Sequence, residues 1–164
     1  MASNFKEQAL QKIKKFCAYQ DRCHAEVRSR LLSYKVYGDT LEEIIAELVR
    51  EDYLNEERFS RSFVRGKFRM KGWGRNKIQR ELKTREISDY CIRKGMSEID
   101  EEEYRQTLLR ILQRYADANV KGKDEFTTVK KMYEHAFRKG FETEIISEII
   151  QSEPIQEILR TIKT

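Results

Sequence analysis

The chain has 164 residues, 37% charged and 39% hydrophobic, with 33 Lys and Arg against 28 Asp and Glu for a formal net charge of +5. One Pro and seven Gly exclude the turn-rich sandwiches and barrels, while 8 Phe, 8 Tyr and 1 Trp supply more buriable surface than a disordered chain carries. Apolar runs stay short, as at Ile44-Ile45-Ala46, where a membrane-spanning helix needs about 20 residues.

The first residues, MASNFKEQALQKIKK, interleave Lys and Glu with apolar positions instead of forming the apolar stretch of a secretory signal. Cys17, Cys23 and Cys91 form no CxxC pair and are odd in number, which predicts reduced thiols and a cytoplasmic protein.

Helical spacing starts near Phe5 and runs through Leu10, Ile13 and Phe16-Cys17 to about Gln20. Asp21 is the expected cap of a second helix, with Val27 and Leu31 facing inward up to Gly38. Asp39 or Thr40 should cap a third, whose apolar side carries Leu41, Ile44-Ile45 and Leu48-Val49. The same order then recurs. Asn55 caps a helix through Phe59, Phe63 and Val64; Gly72-Trp73-Gly74 turns the chain into a helix with Ile78 and Leu82; Ser88 or Asp89 caps one with Ile92 and Met96.

A third round is predicted from Leu108 to Tyr115, a break at Lys121-Gly122-Lys123, then Phe126, Val129, Met132-Tyr133 and Phe137 on one face. Gly140 and a helix with Ile145-Ile146 and Ile149-Ile150 follow, ended by Pro154. Superposing the middle helices pairs Leu32, Leu82 and Tyr133, a period of about 50 residues. The expected architecture is all-α: three tandem three-helix repeats at residues 1–54, 55–99 and 100–164, with an ordinary nine-helix domain as the alternative.

Charge is segregated along the chain. Arg61, Arg65, Lys67, Arg69, Lys71, Arg75, Lys77, Arg80, Lys83 and Arg85 face a single acid, Glu81, whereas residues 42 to 57 hold seven acids and one base. Ten cations within 25 residues repel one another and call for a polyanion or an acidic protein face. Phe63, Phe68 and Trp73 lie among them, a mixture able to stack on bases. Helical spacing assigns Phe63 and Phe68, with Phe59, Ile78 and Leu82, to the core, leaving Trp73 as the surface aromatic.

Enzyme chemistry is sparse. His24 and His135 sit in no nucleophile, metal or phosphate motif, and Cys17, Cys23 and His24 lack the fourth ligand of structural zinc. Cys17 reads as core and Cys23 as a weak helix cap. Glu42-Glu43 and Glu101-Glu102-Glu103 are expected at helix starts, where the macrodipole favours negative charge. KGWGRNK lacks the GK[ST] ending of a phosphate loop.

The stretch DYLNEERFSRSFVRGKFRMKGWGRNKIQRELKTREI, Asp52 to Ile87, resembles the central repeat of RecX, a family of regulators acting on the RecA recombinase. The resemblance rests on Tyr53, Leu54, Asn55, Glu56, Phe59, Ser60, Phe63, Val64, Lys67, Gly72, Gly74, Lys77, Ile78, Glu81, Leu82, Arg85 and Ile87, all in one ungapped register. Glu26-Val27-Arg28-Ser29-Arg30-Leu31 resembles the matching segment of the first repeat, and the third agrees in length and pattern. Asp52 and Glu86 replace glycines of the family pattern, Arg75 a frequent proline and Cys23 a customary Ser cap.

The resemblance implies an elongated, curved helical array with no catalytic residues, metal or cofactor. It also implies binding along the groove of RecA filaments on single-stranded DNA, inhibition of their ATPase and strand exchange, and control of recombination, repair and the SOS response. With the charge pattern, it predicts an interface to RecA or DNA at Arg61, Arg65, Lys67, Arg69, Lys71, Trp73, Arg75, Lys77 and Arg80, with Gly72 and Gly74 forming a structural turn, in a protein that is a monomer. Two other readings compete: a direct DNA-binding helical protein, favoured by the basic balance, and a helical-repeat scaffold for an unrelated protein.

Overall fold

The structure, a computed structural model, describes residues 2–119 and 122–162. Ten helices and no strand occur among them: α1 (Ala2–Tyr19), α2 (His24–Ser33), α3 (Gly38–Arg50), α4 (Glu56–Lys71), α5 (Arg75–Thr84), α6 (Asp89–Met96), α7 (Glu101–Asn119), α8 (Glu125–Lys139), α9 (Thr143–Ile150) and α10 (Glu153–Ile162). The all-α expectation holds. Lys121, one residue of the expected break, and the outermost positions 1 and 164 lie outside the described residues. The chain forms two compact units, one of residues up to 63 together with 82–95, the other of 64–81 together with residues from 96 onward.

In the first unit, α1, α2 and α3 enclose a core of Leu10, Ile13, Cys17, Val27, Leu31, Val36, Ile44 and Leu48, against which Phe16, Tyr34 and Tyr53 pack. Arg58 links the start of α4 to two loops: its Nε donates to Asp21 Oδ1 at 2.9 Å and its Nη1 to Asp52 Oδ2 at 3.0 Å. Asp21 also accepts from Ser62 Oγ. Asp21 thus serves α4 and does not cap α2, which starts three residues later at His24. There the Glu26 carboxylate accepts the Cys23 N–H, so Cys23 occupies the cap position.

In the second unit, Tyr104, Leu108, Leu112 and Ala116 of α7 meet Met132 and Ala136 of α8 and Ile146 of α9 in a core with no solvent exposure. α10 packs on α7 and α9 through Ile155 and Leu159. Pro154 lies in its first turn, where the missing N–H has no helical partner to lose, so Pro154 begins a tenth helix and does not end the ninth.

Three helices end in one local geometry. Lys35, Glu86 and Gly140 each have positive φ (64°, 59° and 100°), and the next residue donates its N–H five residues back: Val36 to Leu31, Ile87 to Leu82, Phe141 to Ala136. A left-handed residue followed by a buried apolar one is a Schellman stop. These stops set the register between the middle helices, pairing Leu31, Leu82 and Ala136 in place of Leu32, Leu82 and Tyr133. Leu32 is accordingly exposed. Asp52, at φ 61° with Tyr53 N–H on Leu48 O, ends α3 in the same manner. Asp52 and Glu86 therefore keep the turn although each stands where the family pattern has glycine.

Other expectations shift. α3 begins at Gly38 with Tyr37 as its cap residue, ahead of Asp39 and Thr40. Glu42 and Glu43 then fall beyond its first turn and instead bind Arg28 and Lys6, each at 2.6 Å. α8 buries Thr128, Met132 and Ala136, leaving Phe126 79% and Phe137 54% exposed, because the Gly140 turn drives Phe141 into the core and fixes which stripe faces inward. Phe63 is half-buried with the Arg85 guanidinium 4.8 Å from its ring centroid, whereas Phe59, Phe68, Ile78 and Leu82 are core. Asn55 and Ser88 do cap α4 and α6, accepting the N–H groups of Arg58 and Cys91.

Candidate functional site

The predicted interface begins on α4 and continues through the 72–74 turn into α5. Gly72 takes φ 66°, and Trp73 N–H donates to Lys67 O at 3.1 Å. Gly74 answers a different demand. Its N–H donates to Lys139 O at 2.7 Å and Asn76 N–H to Gly140 O at 2.9 Å, so the C-terminal carbonyls of α8 satisfy the free N–H groups at the start of α5. The two helix ends also match in dipole sign. Between these bonds, Arg75 N–H donates to Tyr104 Oη at 3.0 Å, and Tyr104 Oη donates to Glu142 at 2.5 Å. Burial and the Glu142 hydrogen bond push the Tyr104 phenol far above its ordinary range, keeping it protonated.

Arg75 completes this junction. Its guanidinium pairs with Glu101 and, at 3.0 Å, with Glu142, and lies 3.9 Å from the Tyr104 ring centroid. Arg75, which is also one of the expected interface residues, thus braces α5 against α7 and the start of α9. The remaining cations divide by their surroundings. Arg61 lies 3.7 Å from Glu57 and Arg65 3.2 Å from Glu98. Lys67 and Lys77 place their ammonium groups 4.8 and 4.3 Å from the Trp73 ring centroid, so Trp73 is half-buried between two cations rather than presented as a bare face. Arg80 is exposed.

The crowded positive charge of residues 61–85 is therefore partly neutralised inside the protein. Glu98, Glu101, Glu103 and Glu142, all outside that segment, supply acidic partners that the sequence reading assigned to an external surface.

Arg69 and Lys71 differ. Arg69 is exposed and only loosely paired, 3.7 Å from Glu103, and exposed Lys71 offers its carbonyl to Lys139 Nζ at 3.2 Å. They border an open groove of about 410 Å³, shared with Arg110, Arg114 and Lys139 and floored by Phe68, Gly72 and Ile111. Burial, and after it the nearby Lys77 ammonium, pull the Lys139 pKa below the ordinary lysine value. Arg110, Arg114 and Lys139 were not anticipated. Their signal was the spacing Glu103, Thr107, Arg110, Arg114, one face of α7 carrying two arginines.

Among the described residues, no helix is long and apolar enough to cross a membrane, and no three His, Cys, Asp or Glu side chains group as metal ligands.

These features define the class: an all-helical protein assembled from short helices closed by left-handed stops, with a basic surface in its middle stretch. Residues 55–96 match the family model described as RecX, second three-helix domain. Over 136 residues the chain is 24% identical to a regulatory protein RecX of Oceanobacillus iheyensis, covering 83% of this chain and 50% of the relative. Against that of Lactobacillus gasseri it is 26% identical over 143 residues, covering 87% and 52%. The chain thus spans about half the length of these curated relatives. A crystal structure of RecX from Lactobacillus salivarius superposes with a TM-score of 0.83 at 21% identity, covering 94% of this chain and 99% of that one. Another, of a regulatory protein RecX, also gives 0.83 at 15% identity, covering 92% and 75%. The resemblance to the RecX family is shown by sequence model, by relatives and by fold.

Proposed function

We propose that this protein binds RecA filaments on single-stranded DNA and restrains their ATPase and strand exchange, limiting recombination, repair and the SOS response. The observation carrying the reading is the match of residues 55–96 to the second three-helix domain of RecX, in the stretch that also holds the basic segment from Arg61 to Arg85. The action is non-enzymatic, cytoplasmic and monomeric. The helices act as three repeats, residues 1–54, 55–99 and 100–164, each able to meet a surface that the filament itself repeats.

Such contacts reinforce one another, because each bound repeat raises the effective concentration of the next. Inhibition then needs no chemistry: a protein that binds the filament more tightly in a geometry unfit for hydrolysis or exchange shifts the population toward that geometry. Arg69 and Lys71 are the leading contacts, since both are exposed and line the open groove.

The test is the DNA-dependent ATPase of the cognate RecA titrated with this protein, with naked-DNA binding measured in the same salt. Inhibition below one protein per recombinase, weakened by Arg69→Glu with Lys71→Glu, supports the reading. Full ATPase activity at excess protein overturns it.

A further inference from the structure

We infer that the outer face of α8 pairs with the same face of a second copy of this chain, the two helices lying antiparallel, an interaction that does not depend on the filament reading. Helical spacing assigns Phe126, Val129, Tyr133 and Phe137 to the core, yet α8 turns Thr128, Met132 and Ala136 toward α7 and α9 instead. Phe126 and Phe137 are left exposed, with Val129 and Tyr133 half-buried between them. The helix that carries them is firmly ended: Asp124 accepts the Thr127 N–H at its start, and Gly140 takes the left-handed turn at its finish. The rings of Tyr133 and Phe137 stack at an interplanar angle of 9°, with centroids 6.5 Å apart. A contiguous aromatic surface of this kind is unfavourable in water and is relieved when a partner covers it.

The spacing identifies the partner. Phe126, Lys130, Tyr133 and Phe137 follow one another at steps of four, three and four, the seam of a coiled coil. A single lysine in such a seam selects register and orientation. Parallel pairing would set Lys130 against Lys130 of the second copy, two like charges. Antiparallel pairing about a two-fold axis midway along the seam sets Phe126 against Phe137 of the second copy, and Lys130 against its Tyr133 and Glu134. The ammonium then gains both a ring face and a carboxylate. Lys130 and Glu134 are exposed, and neither has an ion-pair partner among the described residues, so each copy supplies what the other lacks. The two-fold axis makes every such contact twice. A foreign helix could cover the aromatics, but this chain's own α8 carries the matching order of charge.

Size sets the strength. From Phe126 to Phe137 the seam runs about 16 Å. One helix pair of that length falls below the roughly 1,200 Å² at which standard interfaces begin, so the contact is weak and forms in concentrated protein. Dilute protein is a single chain, the form that acts in the filament reading.

Sedimentation equilibrium of the full chain from about 5 to 500 μM is the test, a range in which weak pairs dissociate. The average mass should climb from that of one chain toward that of two. Phe126→Gln with Phe137→Gln should raise the dissociation constant at least about tenfold, as loss of central aromatic contacts does. Both rings are exposed, so the fold is kept, as circular dichroism verifies. Lys130→Glu and Glu134→Lys should each weaken pairing about threefold, and together return it to within about twofold of wild type, because the exchanged charges again face opposite signs. That recovery is specific to antiparallel helices, since a parallel pair never brings 130 to 134. Tyr19→Gln, at an exposed ring of α1, should change nothing. One-chain mass at every concentration, pairing that survives loss of both phenylalanines, equal weakening by Tyr19→Gln, or no recovery in the double charge variant would each overturn the proposal.

Discussion

Gly74 and Gly140 meet backbone to backbone: a Cβ on Gly74 would lie 2.3 Å from the Gly140 carbonyl carbon and 2.4 Å from its oxygen. Backbone cannot rotate aside as a long side chain would. Gly74→Ala is therefore expected to destabilise the protein by about 2 to 3 kcal/mol, as overpacking does. Gly66, in the middle of α4 with open space around it, provides the opposite case. Gly66→Ala should stabilise by roughly 0.5 to 1 kcal/mol through helix propensity. Urea midpoints for the pair test both signs, and equal midpoints would mean that the junction of α5 and α8 is open in solution.

Glu86 and Asp52 both hold positive φ, yet replacing each by glycine should act in opposite directions. Glu86→Gly relieves a left-handed strain of about 1 to 2 kcal/mol, part of which returns as unfolded-chain entropy, for a net gain of about 0.5 kcal/mol. The Asp52 carboxylate accepts from Asn55 Nδ2 and Arg58 Nη1, both at 3.0 Å, and Asp52→Gly removes those bonds. Chemical denaturation should show the first variant above wild type and the second at or below it.

Ser60 is fully buried on α4 with no hydrogen-bond partner for its Oγ. An unsatisfied buried hydroxyl typically costs about 1 to 3 kcal/mol, so Ser60→Ala should raise the melting temperature. A lowered melting temperature would show that the hydroxyl has a partner in solution.

Leu82→Ala should cost about 2 to 5 kcal/mol, since Leu82 is wholly inaccessible and its loss leaves a cavity. Phe63→Ala, at a half-buried ring, should cost less. The order of the two unfolding midpoints decides between the burial seen in the structure and the equal burial read from helical spacing.

Acid should weaken the α5 brace. The hydrogen bond from Arg75 holds the Glu101 carboxyl below its ordinary value of 4.5. A carboxyl lowered in the folded state contributes stability above about that pH and loses it as pH falls through the folded value. The stability difference between wild type and Arg75→Gln should thus be largest near neutrality and shrink in acid. A difference constant across that range would remove Glu101 from the linkage.

Helices and core were readable because their signals are local. Ile13, Ile44, Ile78 and Leu82 sit at helical spacing, and Asn55 and Ser88 lie just before their helices. The site was only half readable, because its partners are distant in the chain. Arg75 pairs with Glu101, 26 residues on, and with Glu142, 67 residues on. Read alone, the basic segment has an unanswered charge; folded, α7 and α9 answer part of it. Tyr104, the keystone of that junction, resembles any other core aromatic in one dimension. The α8 face was misread because Phe126 and Phe137 outweigh Thr128 and Ala136 in apolarity, while the Gly140 stop chooses the small residues.

The end-to-end seating of α8 on α5 also bears on the order in which the chain becomes ordered. Gly74 and Asn76 obtain their acceptors only when Lys139 and Gly140 arrive, so the start of α5 depends on a segment more than 60 residues downstream. Closing so long a loop is entropically slow and is rewarded only at the last contact. The RecX-like stretch 55–96 is thus a unit of sequence resemblance without being a unit of folding. Made alone, it would leave the first N–H groups of α5 to water and emerge frayed at the turn that carries Trp73.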